Sequence, residues 1–219
     1  MRIHRLCAVL LASAAAVMVL AGTVAAKSPS TKKQEPLPPR SGMPLALQHE
    51  EAVLKAQAGG MNIEVTSTAF SNNAAIPSKY SAYDNDTSLP MAWSRGAEGT
   101  KSYVLIMEDP DSKKPPVPVV HWIAWNIPAS QTSLPEGLPK RARLEDPEGL
   151  RQGLNTAGSV GYHGPRPPQG DPPHHYHVQL FALDADLDIL AGSTRDELLK
   201  AMQGHVLAKG ELVGTFARP

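Results

Sequence analysis

Five short runs rich in β-branched, aromatic and aliphatic residues recur from residue 62 onward: NIEVTSTAF, SYVLIMED, VVHWIAWNIP, YHVQLFALD and ELVGTFA. Each is short for a helix, either alternates or is apolar throughout, and lies between clusters of Pro, Gly, Asn or Asp. That is the pattern of strands buried on one or both faces. A chain dominated by such runs packs them into a sandwich or barrel. One later segment breaks the pattern. Thr194 and Glu197 have capping-box spacing, Leu198, Leu199, Met202 and Val206 supply an apolar face, and Gly210 follows, which predicts one peripheral helix. The expected fold class is mainly β, with a small helix at the periphery. No internal repeat, glycine-rich phosphate loop or serine elbow occurs.

The chain ahead of these runs is of a different kind. Residues 1–26 open with Arg2 and Arg5, continue through LCAVLLASAAAVMVLAG and end in TVAA, the layout of an export signal. The apolar run is alanine-rich and meets a polar, proline-rich tract, so a cleaved signal is expected rather than a transmembrane anchor. Cys7, the single cysteine, leaves with it, and the mature chain has no disulfide. The predicted location is periplasmic or secreted. Removing Arg2 and Arg5 from a chain of 21 basic and 21 acidic residues leaves a net charge of about −2, without the concentrated basic face that nucleic acid requires. Residues 27–60 read as a Pro-rich tether, with a short helix in LALQHEEAVLKAQ that stops at Gly59 and Gly60. The compact domain is expected over 61–219, long enough for a full core.

Residues 161–184, GYHGPRPPQGDPPHHYHVQLFALD, place four histidines and five prolines on one stretch whose second half is a strand. Strand alternation puts His174, Tyr176, Val178 and Leu180 on one face, and likewise His121, Ile123, Trp125 and Ile127. Each row is apolar with an imidazole at one end. A lone histidine there is also explained as a core imidazole bonded to a backbone carbonyl. Two such rows beside the acidic turn MEDPD favour a half-covered pocket able to bind an anion. In that turn Glu108, Asp109 and Asp111 close a strand ten residues before His121. Such aspartates are usually turn formers; next to an imidazole, one would fix its tautomer and raise its pKa. His175 and His177 fall on the opposite face and read as a surface pair, since a metal site would need a third ligand.

DPD followed by HWIAWNIP, and then GYHGPRPPQGDPPHHYHVQLFALD, resembles the two signature regions of the phosphatidylethanolamine-binding protein family, also called Raf kinase inhibitor-like proteins. The segment IPSKYSAYDNDTSLPMAWSRGAEGTKSYVLIMEDPD and the closing GHVLAKGELVGTF resemble its bacterial branch. The resemblance implies a β-sandwich with a small anion pocket at one end. It carries ligand-binding roles onto Asp109, His121, Pro167, Pro168, His174 and Tyr176. One departure is Ala82, where the bacterial pattern often has cysteine. The expected partner is a small phosphorylated or carboxylated ligand, including a lipid headgroup, with neither a metal nor another cofactor. A metal-dependent or acid/base hydrolase using the Asp/His/Tyr cluster, and a kinase or protease inhibitor acting through the pocket rim, are the competing functions.

Overall fold

The computed structural model describes residues 63–219 except Pro115 and Val117. The expected signal, tether and short helix lie outside the described residues. Among the described residues, eight strands form two antiparallel sheets. The smaller contains β1 (Val65–Thr66), β2 (Met91–Trp93) and β5 (Ser133–Leu134) in the order β1-β2-β5. The larger contains β3 (Ser102–Asp109), β4 (Val119–Pro128), β6 (Arg151–Gln152), β7 (His174–Leu183) and β8 (Val206–Phe216) in the order β6-β4-β3-β7-β8. A helix, α1 (Arg195–Met202), packs on the outer face of the larger sheet.

β3 is apolar from Tyr103 to Met107 because both of its faces are covered. Leu105 and Met107 face the inter-sheet core with Met91, Trp93, Leu134 and Trp122, while Val104 and Ile106 face α1 with Leu198, Leu199 and Met202. A central strand covered on both faces has no polar side to show. At its end Glu108 is fully buried; it accepts from Gln179 Nε2 at 3.0 Å and pairs with Arg195 Nε at the first turn of α1. That ion pair, together with the Thr194–Glu197 capping box, fixes where the helix begins.

Three sequence expectations need correction. The helix is shorter than its apolar spacing implied: it stops at Met202, Gly204 turns the chain at φ 76°, and Val206 and Gly210 already belong to β8. Of NIEVTSTAF only Val65–Thr66 is strand. The row in β4 is not one face. Register shifts set Met107 and Glu108 of β3 opposite Trp122 and Val120, and Tyr103 and Leu105 opposite Ile127 and Ala124, so β4 carries an extra residue at each place. One bulge takes up His121; the other lies by Asn126, whose φ is 53°. Each extra residue inverts the alternation beyond it. His121 and Ile127 therefore lie on the inter-sheet side, and Ile123 and Trp125 lie under α1.

Candidate functional site

Because β3 runs antiparallel to both its neighbours, its C-terminal end lies beside the N-terminal ends of β4 and β7. Asp109 pairs in register with Val119, and Glu108 with His177. Loops from 153–168 close over this corner and leave a cavity of about 210 Å3. Asp109, His121, Pro167, Pro168 and His174 line it, together with Ser112, Val119, Thr156, Ala157, His163 and Arg166. Tyr176 is set one layer behind, fully buried, its ring edge-on to His121 with centroids 5.1 Å apart. Thus five of the six residues expected at the ligand share the pocket wall, and the sixth supports it.

The Asp109 carboxylate is fully engaged: Oδ1 accepts from the Asp111 backbone at 2.8 Å, and Oδ2 sits 2.8 Å from His174 Nδ1. Bonding at Nδ1 orients the His174 ring, whose Nε2 lies 3.4 Å from Asp171 Oδ2 at the rim. His121 is held differently from the sequence expectation. Its Nδ1 donates to the His163 carbonyl at 2.7 Å, while the His163 backbone N–H donates to the His121 carbonyl at 2.9 Å. That fixes the tautomer and leaves Nε2 for a ligand. Burial lowers the His121 pKa to about 4, outweighing the carbonyl bond and the Asp109 charge, so the imidazole is neutral rather than made more basic. Burial lowers His163 as well, and the Arg166 charge adds to that shift. Tyr176 is pushed up by burial and then by Asp109, and it keeps its proton.

Segment 80–86 positions the proline loop, a role that residue chemistry alone did not reveal. The Tyr162 hydroxyl donates to the Tyr80 carbonyl at 2.8 Å, Ala82 N–H to Pro165 O at 3.1 Å, and the Tyr83 hydroxyl to Pro167 O at 2.6 Å. Asp86 accepts from Gly164 N–H at 2.6 Å and pairs with Lys140. Gly164 has to be glycine: a Cβ there would stand 2.1 Å from the Tyr80 carbonyl oxygen. Arg166, His163, Thr156 and Ser112 are the polar lining residues missed from sequence, with Val119 and Ala157 the apolar ones. Arg166 sits inside the quoted GPRPP motif, where its charge was a readable signal.

His175 and His177 do not line the pocket. His175 Nδ1 lies 2.8 Å from Asp111 Oδ2, and His177 Nδ1 lies 2.9 Å from Glu211 Oε1, both toward solvent. Among the described residues no set of three or more His, Cys, Asp or Glu side chains is arranged to hold a metal ion.

A family model described as phosphatidylethanolamine-binding protein matches residues 66–217. The chain belongs to the phosphatidylethanolamine-binding protein family. A UPF0098 protein of Pyrococcus abyssi is 43% identical over 160 residues, covering 73% of this chain and 88% of the relative. The crystal structure of a phosphatidylethanolamine-binding protein homologue from Chlamydia trachomatis is similar with a TM-score of 0.63 and 39% identity, over 72% of this chain and 99% of that one. E. coli YbcL, described as a new member of the mammalian family, aligns with a TM-score of 0.67 and 28% identity, over 73% of this chain and 100% of its own. The family fold accounts for the two sheets and the small helix seen here.

Proposed function

We propose that this family member is an exported, non-catalytic binding protein whose pocket holds a small phosphate-like or carboxylate anion, free or as a headgroup. The observation that carries the reading is the balance of the pocket wall. Its one carboxylate, Asp109, is spent on Asp111 and His174, whereas the Arg166 guanidinium and His121 Nε2 remain as cation and hydrogen-bonding group. Proline rings and Val119 lower the local dielectric around them, which strengthens each bond to a charged oxygen. The volume suits a headgroup-sized ligand better than the several hundred Å3 typical of larger ones. The hydroxyls of Ser112 and Thr156 serve the backbone at Lys114 and Val120, which favours binding over use of either as a nucleophile.

Calorimetry with inorganic phosphate and with phosphoethanolamine tests this. A charge-assisted hydrogen bond contributes roughly 1.5 to 3 kcal/mol, so Arg166→Ala and His174→Ala should each weaken phosphate binding by about one to two decades. Equal affinity in the wild type and both folded variants would overturn the pocket. The relative affinities of the two probes separate free anion from headgroup. Export rests on residues 1–26. Sequencing the protein recovered from the periplasm or medium should read from Lys27, and an N-terminus at Met1 or retention in the cytoplasm would contradict it.

A further inference from the structure

Tyr83 stands beside the pocket with two guanidiniums near its ring. Its hydroxyl donates to Pro167 O, a pocket residue, at 2.6 Å. The Arg166 Cζ lies 5.9 Å from the ring centroid and the Arg218 Cζ 4.8 Å from it. Arg166 lines the cavity, whereas Arg218 does not, so the ring links a cation inside the wall to one outside it. Both distances fall within the reach of a cation–π contact, which holds a guanidinium in place without neutralising it. Ion pairs form at Lys79, Lys113, Lys140 and Arg195, and none among the described residues joins a carboxylate to Arg166 or Arg218. Two like charges without a paired carboxylate, both within reach of one ring, raise the positive potential there, and an anion bound beside them lowers it.

From this we infer that the pocket has a second anionic subsite at Arg218, continuous with the first through Arg166 and Tyr83. Its ligand is a small phosphorylated compound with a further carboxylate or phosphate, rather than one ending in an ammonium group. This rests on the anion-pocket reading and makes it narrower, because a zwitterionic ethanolamine headgroup would bring its positive end toward two guanidiniums. Arg218 is exposed and water screens it, so the second group adds selectivity more than strength.

The test compares three probes of similar size on the full chain by calorimetry: glycerol 3-phosphate, phosphoethanolamine and 3-phosphoglycerate. In the wild type 3-phosphoglycerate should bind roughly 1.5-fold to fivefold more tightly than glycerol 3-phosphate, the range of a solvent-screened ion pair, and phosphoethanolamine should bind most weakly. In Arg218→Ala the ratio of the first two should fall toward one, in Arg218→Lys it should be partly kept, and added salt should shrink it in the wild type. Equal affinities for the three probes in the wild type, or a ratio that survives Arg218→Ala, would overturn the subsite while leaving the pocket standing. Failure of all three probes to bind the folded wild type would overturn both.

Discussion

Replacing Arg195 with methionine is expected to lower the unfolding free energy by about 3 to 5 kcal/mol, the cost of stranding one member of a buried ion pair. Glu108 has no solvent exposure, and once the guanidinium is gone its carboxylate keeps the Gln179 amide as its hydrogen-bond donor among the described residues. Arg195 is itself mostly covered, and its Nη2 has no partner, so the pair is a cost to the fold as well as a constraint on it. The double variant Glu108→Gln with Arg195→Met should therefore recover much of the loss, since two neutral side chains have less desolvation to offset. Urea unfolding of the wild type, the single variant and the double variant measures this. A single variant within about 1 kcal/mol of wild type would mean the pair is as weak as a surface one.

Acid should destabilise the domain through His121. Its pKa is about 4 in the folded protein because it is buried, against 6.5 ordinarily, so the unfolded chain takes up the proton first as pH falls. The stability from keeping this ring neutral is complete above about pH 6.5 and is lost progressively down to about pH 4. A shift of that size corresponds to about 3 kcal/mol. His163, also lowered by burial, adds loss in the same direction. His177 has the opposite sign: its bond to Glu211 raises its pKa, so its contribution is present at low pH and lost as pH rises through the raised value. Urea titrations at pH 7 and pH 4.5 should give a clearly smaller difference for His121→Gln than for the wild type. The same slope in both would remove His121 as the source. Ligand binding follows the same logic, since an anion against Nε2 favours the imidazolium. Phosphate should bind with proton uptake below neutrality rather than with the midpoint near 6.5 expected of an unperturbed histidine.

How much of this was legible depended on the range of each signal. SYVLIMED and VVHWIAWNIP coincide with β3 and β4 because strand propensity and turn residues act locally. The Thr194 cap was visible for the same reason, whereas the helix end was not: Val206 fits a helical spacing and is taken by a strand whose pairing with β7 is a tertiary matter. Alternation held along β7, where His174, Tyr176, Val178 and Leu180 sit without interruption in a regular register against β8. It failed along β4, because a bulge depends on the partner strand and leaves no mark in the sequence around His121. Short strands such as Met91–Trp93 and Ser133–Leu134 have too few residues to display a period. In the pocket, the residue types were readable but the assignments were not. Asp109 pairs with His174 and His121 with the His163 carbonyl, connections that cross 65 and 42 residues of chain.

Those long spans have a kinetic meaning. The β3–β4 hairpin by itself brings only Asp109 and His121 together, and Arg166 and His174 join them once β7 has docked on β3. Contacts of this kind belong to a high-contact-order topology, in which loop closure opposes assembly until late. A ligand that needs the complete corner therefore has affinity for the folded molecule and none for its partly assembled forms. Occupancy then acts on the unfolding rate, because the bound corner has to come apart before β4 and β7 can leave β3.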